Sequence, residues 1–189
     1  MLNQKFPILL ASKSPRRQEL LTLMDLEFEV MLKDVDESYP DGLEPHEIAS
    51  YISEKKARAF MDDTLEALVI TADTIVALDG EILGKPRDAD HAREMLMKLS
   101  NTTHEVFTGV SLAMQDQVST FYDRTAVTFG PLSTEQIEYY ITHYNPFDKA
   151  GSYGIQDWLG MIAISKIEGS YTNVMGLPTE KLYQALLSI

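Results

Sequence analysis

Two chain reversals between apolar runs constrain the fold of this 189-residue chain more than any other feature of its sequence. Asp79-Gly80 lies between the runs IVAL and EIL, and this dipeptide in such a context predicts a tight β-hairpin. A polar turn at 115–117 joins two longer predicted strands, 104–114 and 118–129. Because hairpins pair their strands antiparallel, the chain cannot form a purely parallel sheet.

Helices alternate with strands along the rest of the chain. Helices are predicted at 15–24, 45–60, 133–144, after the N-cap Asp88 and from Pro178 onward. Further strands are predicted at 6–11, 28–32, 68–72, 74–78, 81–84 and 160–167. With no repeat and no linker, this order predicts a single α/β domain, 1–189, in which helices flank a twisted mixed sheet.

Two of these helices show the apolar faces that would pack on such a sheet. In the first helix the residues expected to face inward are Leu20, Leu21, Leu23 and Met24. In the helix after Asp88 the stripe consists of Ala92, Met95, Leu96 and Leu99. Spacings of three and four residues place such side chains on one side of a helix.

The composition excludes several kinds of partner and chemistry. A net charge of −13, from 16 basic and 29 acidic residues, argues against nonspecific binding to nucleic acid or to an anionic membrane. It leaves room for one small anionic ligand in a local basic pocket. The chain has no cysteine, so disulfides and thiolate chemistry are excluded. No apolar run is long enough to span a bilayer, and no cleavage pattern follows FPILLA, so we expect a cytoplasmic protein.

The segment SPRR places two arginines where a helix backbone is already positive. Ser14 and Pro15 read as the N-cap and first residue of a helix, and first turns usually favour acidic residues. Arg16 and Arg17 become favourable if a phosphate binds there, because the free amides, the helix dipole and the guanidinium groups then act together. The alternative is two solvated arginines on a surface helix.

Asp73 interrupts the otherwise uncharged run LVITADTIVAL. A buried carboxylate without a partner costs several kcal/mol, so it needs a metal, a cationic partner or a role as a base. A strand end that opens onto a cleft would supply such a place. The alternative is a structural aspartate at a β-bulge.

Two lysines and a glutamine complete the candidate set. Lys56 shares a predicted helix face with Ile52 and Phe60, so it either snorkels from an apolar stripe or points into a phosphate cleft. Lys85, in the segment GKP, has the same two interpretations. The amide of Gln156 offers a donor beside an acceptor, which suits O4 and N3–H of uracil or thymine; the alternative is a loop glutamine bonded to backbone.

Other familiar chemistries lack support in the sequence. The four histidines show no metal-binding spacing, and there is no nucleophile elbow, Walker loop or GxGxxG motif. The acidic loop residues Asp34, Asp36 and Glu37 are either solvated or contribute, with Asp73, to a divalent-metal site.

Six segments, distributed over nearly the whole chain, resemble the Maf family of nucleoside triphosphate pyrophosphatases. They are LLASKSPRRQELL, SEKKARA, ADTIVALDGEILGKP, FTGVSL, DKAGSYGIQ and KIEGSYTNVMGLP, in the order typical of the family. The chain departs from the family pattern at Thr71, where glycine is frequent, and we expect this change to be tolerated.

This resemblance implies hydrolysis of a nucleoside triphosphate to the monophosphate and pyrophosphate, aided by Mg²⁺ or Mn²⁺. It implies an inosine-triphosphate-pyrophosphatase-like fold with two lobes around a cleft, and a homodimer. It makes Asp73 the proton acceptor and makes Asp73 and Glu37 the metal ligands. It ties base choice to Arg16, Thr74 and Gln156. Around the triphosphate it places Ser14, Arg17, Lys56 and Lys85.

The segment DKAGSYGIQ resembles the branch of the family that acts on dTTP and UTP in a house-cleaning role. Three alternatives stay open at this point. The chain could belong to the branch that acts on 7-methyl-GTP. It could be a nucleotide-binding regulator of cell division with slow hydrolysis, or it could hydrolyse phosphate monoesters, which would release orthophosphate.

Overall fold

The computed structural model describes residues 4–61 and 66–189, and within them one mixed sheet is covered by helices. The strands are β1 (Ile8–Leu10), β2 (Glu29–Val30), β3 (Leu68–Leu78), β4 (Glu81–Leu83), β5 (Thr103–Met114), β6 (Gln117–Phe129) and β7 (Ile164–Glu168). The α-helices are α1 (Pro15–Leu23), α2 (Pro45–Arg58), α3 (Ala89–Leu99), α4 (Thr134–Tyr144), α5 (Trp158–Ala163), α6 (Tyr171–Met175) and α7 (Thr179–Leu187). None of the helices in these ranges is long and apolar enough to cross a membrane.

The strand order confirms the mixed sheet that the hairpins predict. The order is β2-β1-β3-β5-β6-β7, with β4 paired to β3 beside this path. Strand β1 pairs parallel with β2 and β3, whereas the β3–β4, β3–β5, β5–β6 and β6–β7 pairs are antiparallel. Strand β3 therefore lies where parallel pairing changes to antiparallel pairing.

Helix α2 packs directly on the middle of this sheet because a glycine lies beneath it. Gly109 of β5 is the register partner of Asp73 in β3. A Cβ atom at Gly109 would lie 2.3 Å from the carbonyl oxygen of Ala49 in α2. The missing side chain thus lets the helix backbone approach the sheet beside Asp73.

Buried hydroxyl groups also hold α2 on the sheet. The Thr71 hydroxyl donates to the Ser53 carbonyl at 2.6 Å, and the Ser53 hydroxyl lies 3.0 Å from that of Ser111. All three residues are buried, so these bonds satisfy polar groups that would otherwise be costly. The structure accommodates the unusual Thr71 by giving its hydroxyl a partner.

The largest part of the core lies where α1, α3, α4 and α7 pack with the sheet. All four predicted apolar residues of α3 are buried: Ala92, Met95, Leu96 and Leu99. The Asp88 carboxylate accepts a hydrogen bond from the backbone N–H of His91 at 2.8 Å, as predicted for an N-cap. The capping box of Ser133 with Gln136 at the start of α4 is also present.

Three expectations about individual elements are wrong. Residues 160–163 belong to α5 and not to a strand, and the strand begins at Ile164. Gly160 lets α5 lie against the backbone carbonyl of Ile155, an approach that a side chain would block. Leu23 is 72% exposed, since α1 ends there. The strand expected at 28–32 shortens to Glu29–Val30, which pairs only with β1 at the edge of the sheet.

Candidate active site

A cleft of about 460 Å³ opens over the middle of β3. It lies between the start of α1, the loop before α2, the end of α2 and the segment that leads into α5. All the residues predicted for the site line it: Ser14, Arg16, Arg17, Glu37, Lys56, Asp73, Thr74, Lys85 and Gln156. The structure thus brings together side chains from six separate segments of the chain.

Lys56 joins two acidic residues of the cleft, Asp73 and Glu37. Its Nζ atom lies 2.7 Å from Asp73 Oδ1 and 2.7 Å from Glu37 Oε1. The side chains of Lys56 and Asp73 are 16% and 15% exposed, so this ion pair is largely shielded from water. The alternative of a lysine that merely snorkels does not describe Lys56, whose ammonium group points at the carboxylates.

The surrounding cations keep the Glu37 carboxyl ionised. Burial, the largest single influence, would raise the pKa of Glu37, but the neighbouring cations together lower it, and among them Lys56 contributes both a hydrogen bond and its charge. The positive charges of Lys85 and Arg17 lower the same pKa further. The cleft therefore holds a negative group on a background of converging positive charge.

Arg17, one of the two arginines at the start of α1, bonds to groups of the protein itself. Its Nε donates to the Gly176 carbonyl at 2.7 Å and its Nη1 to the Ala72 carbonyl at 2.8 Å. Nη1 also donates to the Ser12 hydroxyl at 3.3 Å, and Nη2 to the Thr74 hydroxyl at 3.1 Å. Most of the guanidinium donors are therefore used inside the protein, and Arg17 joins α1 to β3.

The charge of Arg17 still acts on the cleft. Burial lowers the pKa of its guanidinium, while the nearby charge of Asp73 opposes that shift. Because the group stays charged in proteins, it places a fixed positive charge close to Asp73. A phosphate can meet this charge, but the donors are not free for a two-pronged contact.

Thr74 lies under Arg17 at the wall of the cleft. Its hydroxyl accepts from Arg17 and lies 3.0 Å from the Thr108 hydroxyl, which donates to the Asn173 carbonyl at 3.0 Å. The single proton of Thr74 therefore goes to Thr108, which leaves the Thr74 oxygen able only to accept. The role of Thr74 in base choice stays a prediction.

Ser14 and Arg16 lie at the other end of the same wall. Ser14 is the N-cap residue of α1, with Pro15 as the first helical residue, but its side chain makes no capping hydrogen bond. Its hydroxyl thus does not serve the helix backbone. Arg16 reaches across to Asp148, with Nη1 3.5 Å from Oδ2.

Gln156 lies on the opposite wall, in the turn 154–157. Its amide oxygen Oε1 is buried and has no hydrogen-bond partner among the described residues. Buried polar atoms are rarely left unpaired in proteins, so such an atom beside a cleft indicates a place for a ligand donor. The N3–H of a uracil or thymine base is one donor of this kind.

A divalent cation fits the chemistry of the cleft. Glu37 and Asp73 both direct a carboxylate oxygen at one point, which the Lys56 ammonium occupies. Among the described residues no group of three or more acidic or histidine side chains could hold a metal by itself. Two carboxylates with phosphate oxygens are an arrangement that Mg²⁺ commonly uses.

The sequence-based reasoning missed several charged residues of the cleft. Lys149 lines it with an 11% exposed side chain, 2.9 Å from Asp148 Oδ1 and 3.6 Å from Asp157 Oδ2. Lys33 lines it as well. Of the acidic loop residues considered for a metal site, Asp34 and Glu37 line the cleft, whereas Asp36 is not among the lining residues. Lys149 lies within the DKAGSYGIQ segment, so that motif held the signal for it.

A known protein family covers nearly the whole chain. The sequence model of the Maf family, described as Maf-like protein, matches residues 7–189. The chain belongs to the Maf family. Its expected membership of this family is thereby confirmed.

Curated relatives cover the chain over its whole length. A Flavobacterium psychrophilum protein named dTTP/UTP pyrophosphatase is 54% identical and aligns over 100% of this chain and 98% of that protein. A Phocaeicola vulgatus protein with the same name is 51% identical over 97% of this chain and 96% of that protein.

The fold also matches a solved structure. The Ham1 protein of Staphylococcus aureus superposes with a TM-score of 0.50 and 19% identity, over 96% of this chain and 98% of that one. At this identity the likeness concerns the fold alone. It confirms the predicted mixed α/β fold of the inosine-triphosphate-pyrophosphatase type.

Proposed function

We propose that this protein is a nucleoside triphosphate pyrophosphatase that converts dTTP and UTP to the monophosphate and pyrophosphate. The observation that supports this proposal best is that Lys56, Lys85 and Arg17 lie in one cleft with the acids Asp73 and Glu37. The names of the relatives at about half identity support the same reaction.

In the proposed mechanism Asp73 acts as the general base. It accepts a proton from a water molecule, whose oxygen attacks the α-phosphorus of the nucleotide. The bond from that phosphorus to the bridging oxygen breaks, and pyrophosphate leaves with the bond's electron pair. The lysines and Arg17 stabilise the negative charge of the leaving group, and positioned cations of this kind supply most of the acceleration in phosphoryl chemistry.

Glu37 and Asp73 are the residues that would hold a divalent cation, Mg²⁺ or Mn²⁺. When bound, such a cation offsets phosphate charge and acidifies water. With the cation held by these carboxylates, Lys56 would pair with the phosphates instead. Removal of divalent cations by a chelator is expected to abolish turnover, and readdition of Mg²⁺ or Mn²⁺ to restore it.

Gln156 supplies base selectivity in this proposal. Its Oε1 accepts from N3–H of thymine or uracil, and its Nε2 donates to O4. Cytosine reverses this pattern, because it presents an acceptor at position 3 and a donor at position 4. A base that leaves buried polar groups unpaired is strongly disfavoured.

A panel of nucleotides tests the proposal. Pyrophosphate release is measured for dTTP, UTP, dCTP, dGTP and 7-methyl-GTP with Mg²⁺ or Mn²⁺, and calorimetry on the same sample measures binding. We expect the highest kcat/KM for dTTP and UTP. Fastest turnover of 7-methyl-GTP, tight binding without release, or release of orthophosphate would each contradict the proposal and favour one of the three alternatives.

The homodimer and the cytoplasmic location stay predictions. Sedimentation equilibrium at several concentrations tests the first, and fractionation of cells that express the tagged protein tests the second.

A further inference from the structure

Gln156 lies in a turn whose first and last residues are joined by a hydrogen bond. The backbone N–H of Asp157 donates to the Gly154 carbonyl at 3.1 Å, so residues 154–157 form a hydrogen-bonded turn. Ile155 points into the core and is 3% exposed, whereas Gln156 faces the cleft.

One buried hydroxyl group joins the two ends of this turn to the rest of the protein. Tyr140 of α4 is fully buried, and its hydroxyl accepts from the Gly154 N–H at 3.1 Å. The same hydroxyl donates to Asp157 Oδ2 at 2.8 Å. Burial and the neighbouring Asp157 raise the pKa of Tyr140, so the phenol keeps the proton that it donates.

Close packing leaves the turn little room to shift. A Cβ atom at Gly154 would lie 2.6 Å from Asp157 Oδ2, so the carboxylate rests directly on the glycine backbone. A Cβ atom at Gly160 would lie 2.0 Å from the Ile155 carbonyl oxygen, so α5 packs against the other side of the turn. The Lys149 ammonium is 3.6 Å from Asp157 Oδ2 and faces that carboxylate from the cleft.

We propose that Tyr140 is a positioning residue for base selectivity, and that its hydroxyl fixes the turn 154–157, the backbone from which the Gln156 amide reaches the base. This inference rests on the function proposed above. A glutamine amide can rotate about its last torsion, and a rotated amide matches cytosine instead of uracil or thymine. Selectivity therefore needs a fixed backbone in the turn and a fixed place for Oε1. The Tyr140 hydroxyl fixes the backbone, because it bonds to both ends of the turn.

Tyr140→Phe tests the proposal because it removes the hydroxyl and keeps the ring. We expect the ratio of kcat/KM for dTTP to kcat/KM for dCTP to fall about tenfold, since small misplacements of a contact group have effects of this size. Tyr144→Phe is the matched control. Tyr144 lies on the same helix, with its ring stacked at 5.3 Å on that of Tyr140, and its side chain is exposed. The control should keep the ratio of the unchanged protein.

Combining substitutions separates positioning from a general structural effect. In a Gln156→Ala background, Tyr140→Phe should leave the dTTP to dCTP ratio unchanged, because the group that Tyr140 positions is gone. If Tyr140→Phe lowers kcat/KM equally for both nucleotides, or lowers the ratio equally with and without Gln156, the proposal is wrong.

A second pair of variants serves if Tyr140→Phe folds poorly. Asp157→Asn keeps an oxygen that can accept from Tyr140 and should keep the dTTP to dCTP ratio, whereas Asp157→Ala removes the acceptor and should lower it. Equal ratios in these two variants would contradict the proposal.

The same variants distinguish this inference from the proposed function. If the unchanged protein releases no pyrophosphate from any nucleotide, the proposed function fails. The ratio is then taken from dissociation constants for dTTP and dCTP, measured by calorimetry, and the same expectations apply to Tyr140→Phe.

Discussion

On one wall of the cleft, a lysine ammonium joins two carboxylates at 2.7 Å each, whereas on the other wall a neutral tyrosine hydroxyl joins the two ends of a turn. The first wall, with Glu37, Lys56 and Asp73, is held by charge. The second wall, the turn 154–157, is held by a hydrogen-bonded phenol and by glycines that permit close packing.

This difference matches the two tasks that the proposed function assigns to the cleft. Ion pairs can exchange partners when a polyanion arrives, because the phosphates offer Lys56 a new negative partner. A turn held by directed hydrogen bonds and packed backbone does not rearrange so easily, which suits the reading of a base. The comparison therefore predicts that substitutions at the charged wall have large effects on kcat and kcat/KM. Substitutions of the buried neutral groups that support the cleft should have smaller effects, on the free energy of unfolding.

The largest effect is expected for Asp73→Asn. Loss of the general base should lower kcat about a thousandfold or more, because the attacking water keeps its proton. Nucleotide binding should survive, since the change removes negative charge beside a polyanion. Pyrophosphate release measures the first expectation and calorimetry the second. Asp36→Asn is the control, because Asp36 is an exposed carboxylate of the loop before α2 and pairs with Lys55. Near-full activity of Asp73→Asn would exclude the role as base.

Lys56→Met should have the next largest effect. Removing a cation that stabilises the leaving pyrophosphate is expected to lower kcat/KM about a hundredfold. The adjacent Lys55 pairs with Asp36 and the Ser38 carbonyl, and Lys55→Met should change kcat/KM little. Steady-state kinetics with dTTP compares the two. Equal losses in both variants would show that general helix charge, and not the position of Lys56, matters.

We expect the free energy of unfolding to depend on pH through one buried histidine. His104 of β5 is buried, its Nε2 lies 2.7 Å from the Tyr153 hydroxyl, and burial lowers its pKa from 6.5 to about 4. Between those values the unfolded chain binds a proton that the folded protein excludes, so the free energy of unfolding should fall as the pH falls from about 6.5 to about 4, by up to about 3 kcal/mol.

Urea unfolding across this pH range measures the effect. His104→Gln should flatten the dependence on pH, and His143→Gln, which changes an exposed histidine of α4, should retain it. The same slope in the wild type and in His104→Gln would contradict the assignment to His104.

The smallest effect is expected for Thr71→Val. The substitution keeps the shape of the side chain but leaves the buried Ser53 carbonyl without the Thr71 hydroxyl, and should cost about 1–2 kcal/mol of unfolding free energy. Thr22→Val, whose hydroxyl bonds to the Gln18 carbonyl on an exposed part of α1, should cost less. Urea midpoints compare the two variants, and an unchanged midpoint for Thr71→Val would show that its hydroxyl does not hold α2.

Several features of the fold could be predicted from short sequence patterns. The Asp79-Gly80 hairpin, the Asp88 cap and the stripe of α3 each depend on neighbours within a few residues, and the structure has all three. The nine residues predicted for the site all line the cleft, but the sequence did not point to Lys33 or Lys149, and Thr74 was named through the family resemblance alone. Their roles stay predictions.

Other features depend on partners that lie far away in the chain. Arg17 was expected to face phosphates, but its donors go to the carbonyls of Ala72 and Gly176, which only the folded chain brings near. The helix at 158–163 brings the Gly160 backbone against Ile155, a contact that an apolar pattern does not contain. The two bonds of Tyr140 likewise require α4 and the turn 154–157 to be in place.

The central claim is that water attacks the α-phosphorus of the nucleotide in a cleft that binds the pyrophosphate part as leaving group. Hydrolysis of dTTP in water enriched in ¹⁸O, followed by mass spectrometry of both products, tests it most directly. The account predicts one ¹⁸O atom in dTMP and none in pyrophosphate. Label in the pyrophosphate, or dTDP and labelled orthophosphate as products, would contradict it.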